Sequence, residues 1–143
     1  MISASVIIIQ DDDMTGQEAL GSIRDRKSID NIRELTNCFV SHVDPLKVFL
    51  FGSFADGTYT EDSDYDFYLV VEDRRNIGDA TDKAYNAVMY VKDRPVDIVV
   101  GTNTRFETKG KLRHSLMVEG EVQRNGILLY DRTEAVLQWG TTV

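Results

Sequence analysis

From Ser28 to about His42 the apolar residues fall at Ile32, Leu35, Phe39, Val40 and Val43. That spacing predicts a helix, with Ser28 placed as its N-cap and Asp44-Pro45 as its stop. The period then changes. "KVFLFGS" is apolar at successive positions, as expected for a central strand covered on both faces. "SFADG" reads as a short turn or helical turn, and "DYDFYLVVE" as a second strand. Ala80, Ala84, Ala87, Val88 and Val91 mark a second amphipathic helix from about Ile77 to Val91. "RPVDIVVG" is a third strand. Residues 106–125 carry helical signals broken by Gly110 and Gly120, which predicts an interrupted helix with Gly126 as its C-cap. "ILLYD" is a fourth strand, and Ala135–Trp139 a short closing helix. The order of elements predicts an α/β (α+β) domain, a mixed sheet of four to five strands flanked by helices.

A chain of 143 residues accommodates one domain. Residues 1–16 read as an appendage, strand-like in "SVIII" and turn-like in "DDDMTG"; residues 17–143 form the domain. The N-terminal apolar run "VIII" lacks a preceding basic region and is followed by three aspartates, so it fits neither a signal peptide nor a membrane span. A cytoplasmic protein with no membrane partner is expected. The net charge of −8 makes nucleic acid a poor candidate for a direct substrate, because phosphate contacts need Lys and Arg. A single cysteine, Cys38, excludes an internal disulfide and a thiolate metal cluster.

The chemistry concentrates in "FGSFADGTYTEDSDYDFYLVV", Phe51 to Val71. In a strand, residues two apart share a face, roughly 6.5–7 Å apart. Asp64 and Asp66 would therefore present two carboxylates side by side in an apolar run. Unpaired, they repel one another and are costly to desolvate. A divalent cation resolves the conflict, and Mg²⁺ commonly takes one or two carboxylates together with substrate phosphates. Asp97, in the otherwise apolar "PVDIVV", could add a third carboxylate from an adjacent strand and allow a pair of ions. The plainer alternative is that these acids end strands, pair with arginines or cap turns. Gly52-Ser53 follows a strand and opens a turn whose backbone N–H groups, with the Ser53 hydroxyl, suit phosphate oxygens.

"GSFADG", then "SDYDFYLV", then "VDIVV" resembles the nucleotidyltransferase superfamily of DNA polymerase beta, and within it the minimal nucleotidyltransferases related to kanamycin nucleotidyltransferase. The matched core is about residues 46–100; the helix at 28–43 and the closing "RNGILLYDR" also look like that family. The resemblance implies a single-domain polymerase-beta-like fold. It implies transfer of a nucleoside monophosphate from an NTP, ATP being the expected donor, with Mg²⁺ (two ions, Mn²⁺ as a substitute). It makes Asp64 and Asp66 metal ligands and nucleotide contacts. Asp97 becomes the third ligand and base for the acceptor hydroxyl, and Gly52 and Ser53 become triphosphate contacts.

Two positions depart from the family pattern. Asp56 stands before Gly57 where many relatives carry Arg, and Phe54 where a basic or polar residue is common. Asp56 would repel a triphosphate unless it points away or caps the turn. Arg105, Lys109, Lys111, Arg113 and His114 form the densest positive run and could compensate. Relatives that modify small molecules or nucleic acid usually add a module to hold the acceptor, and 143 residues leave no room for one. By analogy the acceptor is a small helical HEPN-type partner protein, with this chain as antitoxin adenylylating a toxin. The competing readings are an aminoglycoside-type enzyme completed by a homodimer, and a non-catalytic binding module that keeps the fold.

Overall fold

The structure is a computed structural model that describes residues 20–111 and 116–134. Its elements are α1 (Arg26–Val43), β1 (Lys47–Phe51), α2 (Ser53–Asp56), β2 (Tyr65–Val71), α3 (Ile77–Val88), β3 (Val96–Thr102), α4 (Asn103–Gly110), α5 (Val118–Asn125) and β4 (Ile127–Asp131). The described strands form one mixed sheet in the order β3-β2-β1-β4. β1 runs antiparallel to β2 and to β4, while β2 and β3 are parallel. β1 and β2 are central, which accounts for their unbroken apolar sequence.

The two-residue period of the strands divides the core into two layers. Val48, Leu50, Tyr65, Phe67, Leu69, Val71, Ile98 and Val100 join one cluster with residues of α1 and α3, including Ile32, Leu35, Phe39, Ala80, Ala84 and Val88. Phe51, Tyr68 and Val70 join the other with Phe106 of α4 and Val122 of α5, and Phe49 and Val99 pack against it. Phe39 meets Phe67 edge-on with ring centroids 5.0 Å apart. Phe49 and Tyr68 both pack on Phe106, at 5.1 and 5.3 Å.

Several boundaries differ from the sequence expectation. The N-cap of α1 is Asp25, not Ser28. The Asp25 carboxylate accepts the Ser28 N–H at 2.9 Å and the Tyr59 hydroxyl at 2.7 Å, so the helix begins a turn earlier. Asp44 ends α1 in the left-handed region, at φ 56. The terminal carbonyls of α1 accept arginine donors: Arg75 reaches Val43 at 2.9 Å and Arg132 reaches Asp44 at 2.7 Å. α3 stops at Val88, short of Val91. The interrupted helix is two helices, α4 and α5, and α4 begins at Asn103, with the Thr102 hydroxyl accepting the Arg105 N–H. Gly126 is the C-cap of α5 as expected, but in an extended conformation rather than a left-handed one, with its N–H donated to Val122 at 2.8 Å. A β-carbon there would press on that same carbonyl. The appendage at 1–16 and the helix expected at 135–139 lie outside the described residues.

On α3, the Tyr85 hydroxyl lies against the side of β3 that no other strand covers among the described residues. It accepts the Ile98 N–H at 3.0 Å and faces the Ile98 carbonyl at 3.5 Å.

Candidate active site

Three segments meet at one end of the sheet: the C-terminus of β1 and the N-termini of β2 and β3. The register sets Asp66 opposite Phe51 on one side and Asp97 on the other. Asp66 and Asp97 are therefore direct neighbours across two parallel strands. Asp64 lies one residue outside β2, whose first residue is Tyr65, so it belongs to the loop rather than to the strand interior. Asp64 and Asp66 are half-buried, and Asp97 on the outer strand is exposed. Asp66 and Asp97 share the α4/α5 face of the sheet with Tyr68 and Val99.

Gly52 and Ser53 join β1 to α2. Gly52 has φ 75 and ψ −153, a backbone shape that belongs to glycine. A β-carbon on Gly52 would run into the Asp66 carboxylate. The glycine is what allows backbone and carboxylate to lie this close together. Ser53, half-buried, is the first residue of α2.

The electrostatics reflect this crowding. Burial, followed by repulsion from Asp97, Asp64 and Glu121, pushes the Asp66 carboxyl up to about 6. Glu121, on α5, is a fourth acid that the sequence did not single out; nothing in "VEGEV" separates it from a solvated helix face. The donors are all carboxylate oxygens, the set preferred by hard divalent cations. A cation here would relieve the repulsion that raises Asp66, so the residues fit Mg²⁺ or Mn²⁺. Among the described residues no three acidic, His or Cys side chains could enclose an ion by themselves. Such an ion would depend on phosphate or water oxygens for the rest of its shell, as Mg²⁺ commonly does.

Asp56 does not add to this anionic cluster as an unpartnered charge. Its carboxylate accepts both the Thr58 N–H at 2.9 Å and the Thr58 hydroxyl at 2.6 Å, and these bonds hold its carboxyl below the ordinary range. It caps the turn. Phe54 is fully buried, stacks on Tyr59 at 4.1 Å and packs at a tilt against Tyr65 at 4.8 Å, so the position serves packing.

One of the basic residues expected to compensate is committed elsewhere. The Arg105 Nε donates to Glu119 at 3.0 Å, and the Tyr68 hydroxyl donates to the same carboxylate at 2.7 Å. Burial raises the Glu119 carboxyl, but the bonds from Tyr68, its own backbone and Arg105 outweigh it and leave it below the usual range. Tyr68 is pushed far up by burial and by this carboxylate. The trio ties α4 and α5 to β2, directly beneath the Asp66 end of the face. Lys109 is half-buried and Lys111 exposed; Arg113 and His114 lie outside the described residues.

A family model described as "Nucleotidyltransferase domain" matches residues 32–128. No curated protein matches the chain. Among solved structures, a protein from Sulfolobus solfataricus described as a nucleotidyltransferase is similar at 17% identity, covering 93% of this chain and 88% of that one, with a TM-score of 0.42. A toxin-antitoxin structure with AMP-PNP is similar at 20% identity, covering 79% of this chain and 82% of that one, with a TM-score of 0.43. The family match spans more than half of the chain and takes in Gly52, Ser53, Asp64, Asp66 and Asp97. No helix among the described residues is long and apolar enough to cross a membrane. The sheet end that gathers the carboxylates thus lies inside the matched region, and the chain belongs to the nucleotidyltransferase domain family.

Proposed function

We propose that the chain is a Mg²⁺-dependent adenylyltransferase that moves AMP from ATP onto a hydroxyl group of a partner protein. The observation that carries this reading is the convergence of Asp64, Asp66 and Asp97 beside Gly52, with Asp66 raised to about 6 by burial and then by repulsion from its acidic neighbours. Asp64 and Asp66 would hold the metal, with phosphate or water oxygens completing its shell and Asp97 beside it. Bound there, Mg²⁺ supplies neutralisation of the triphosphate charge and polarisation of the reacting phosphoryl group. The backbone at Gly52-Ser53 and the Ser53 hydroxyl orient the triphosphate. Asp97 takes the proton of the acceptor hydroxyl. The acceptor oxygen bonds to the α-phosphorus, the bond from that phosphorus to the bridging oxygen of the β-phosphate breaks, and pyrophosphate leaves with that electron pair.

Asp97 is the most exposed of the three carboxylates and sits on the outer strand β3. That supports an acceptor approaching from solvent at the β3 side. A macromolecule can bring its own surface to an open site and hold a hydroxyl in line, and alignment is a large part of the rate. A small helical HEPN-type protein, with this chain as antitoxin, is the partner we put forward.

The test is intact-mass spectrometry of candidate helical partners incubated with the chain, ATP and Mg²⁺. One or more added AMP units are expected on the partner, and none with Asp64→Asn/Asp66→Asn. Rapid modification of an aminoglycoside by the chain alone would replace the protein acceptor with a small molecule. Neutralisation of a toxin by the double variant, without added mass, would favour a binding module.

A further inference from the structure

Of Asp64, Asp66 and Asp97, Asp64 is the one that no strand holds, yet it must stand in a fixed place if it is to share an ion with Asp66. The chain around it is gripped on both sides by one short segment. Arg94 Nη1 donates to the Ser63 carbonyl at 2.9 Å and lies 3.4 Å from the carbonyls of Thr60 and Glu61. The next residue, Pro95, accepts the Tyr65 N–H at 3.1 Å. Asp64 therefore sits between two anchored peptides, Ser63 before it and Tyr65 after it. Asp97 follows Arg94 by three residues, so one segment both pins Asp64 and delivers Asp97.

The arginine is itself held. Its guanidinium carbon lies 4.9 Å from the centre of the Phe54 ring and 5.3 Å from that of Tyr65. Its side chain is only 20% exposed. Asp93 faces its Nε at 3.8 Å and accepts the Tyr65 hydroxyl at 3.0 Å. The Asp93 N–H is donated to Asn31 of α1 at 3.0 Å. Arg94 thus touches α2 through Phe54, the loop through three carbonyls and β2 through Tyr65. Phe54, in place of a polar residue, is the platform on which the guanidinium lies.

We propose that Arg94 is a positioning residue that sets Asp64 against Asp97 by gathering the carbonyls of Thr60, Glu61 and Ser63. The inference rests on the metal-dependent reading above and assigns Arg94 no contact with substrate.

The test uses the full chain and Mn²⁺ alone. Arg94→Met keeps an apolar stem over Phe54 but loses the donors; Arg94→Ala leaves room for free guanidinium. Mn²⁺ binding is read by electron paramagnetic resonance, and amide exchange of residues 60–65 by mass spectrometry. Both variants should keep the native circular dichroism, exchange faster at 60–65 and bind Mn²⁺ on the order of tenfold more weakly, the scale of one lost charge-assisted bond. Millimolar guanidinium should restore part of both properties to Arg94→Ala, which a general loss of packing would not allow. Normal Mn²⁺ affinity in both variants, beside normal binding by the unaltered chain, overturns this inference alone, as does guanidinium without effect. An unaltered chain that binds no Mn²⁺ overturns the metal-dependent reading and this inference with it.

Discussion

Replacing Asp66 with asparagine should stabilise the metal-free protein at neutral pH. The carboxyl of Asp66 is raised from 3.8 to about 6, first by burial and then by Asp97, Asp64 and Glu121. A difference of about two pH units at ~1.36 kcal/mol each sets a ceiling near 3 kcal/mol. The side chain is half-buried and its neighbours are partly solvated, so screening reduces this to about 1–2 kcal/mol. The folded chain keeps the proton to higher pH than the unfolded chain. The destabilisation is therefore absent below about pH 4, grows as pH rises toward about 6, and is full above that. For a domain of this size about 1 kcal/mol corresponds to roughly 3–4 °C in Tm. Asp66→Asn should melt about 3–8 °C above the unaltered protein at pH 8 in chelator, and the gap should close toward pH 4. Calorimetric melts of both proteins across that range measure it. Adding Mn²⁺ should narrow or invert the gap, because only the unaltered protein gains by mass action. An Asp66→Asn variant that melts at or below the unaltered protein at pH 8, or a gap indifferent to pH, would refute the reasoning.

Asp97→Ala should lower adenylyl transfer by on the order of 10²-fold or more while ATP binding falls much less, as steady-state kinetics and calorimetry would show. Gly52→Ala should destabilise the fold by about 2 kcal/mol or more, since it meets both a glycine-only backbone shape and the Asp66 carboxylate; denaturant melts read this directly. Tyr68→Phe should cost about 1–3 kcal/mol by removing a donor to the buried Glu119, and a urea midpoint unchanged from the unaltered protein would count against that bond.

The two-layer sheet was legible because its signal is periodic. Alternation along "KVFLF" and "DYDFYLVV" places residues on two faces, and an unbroken apolar run means that both are covered. Asp97 was expected on a strand adjacent to that of Asp66, and the parallel pairing of β2 and β3, which a joining helix permits, sets the two side by side. What stayed hidden depends on contacts between distant segments. Nothing local tells that Asp25 rather than Ser28 caps α1, because the choice is reinforced by Tyr59, 34 residues away. Glu119 and Glu121 look alike on a helix face until α5 is docked; one then turns out to be buried against Tyr68 and the other lies within electrostatic reach of Asp66. Arg94, the first residue of "RPVDIVVG", likewise shows nothing of its role until the loop at 60–63 is folded over it. Asp56 was the residue that most threatened the phosphate reading, and a bond pattern spanning two residues turned it into a turn cap.

The phenol of Tyr85 bears on how this sheet can meet other chains. An outer strand offers a row of unpaired backbone groups to any extended peptide, including a second copy of the same chain. By engaging Ile98 on that open side, the Tyr85 hydroxyl takes the place that a neighbouring strand would occupy. An incoming strand would have to evict it before pairing could spread along β3. An extended chain arriving at this edge is thereby steered away from backbone pairing and toward side-chain contacts. Exposed Tyr90 and Met89, just beyond the end of α3, lie in the chain segment that leads to this strand. The same stopper guards the sheet against growing into an open-ended stack, a failure that any parallel outer strand with alternating apolar residues would otherwise invite.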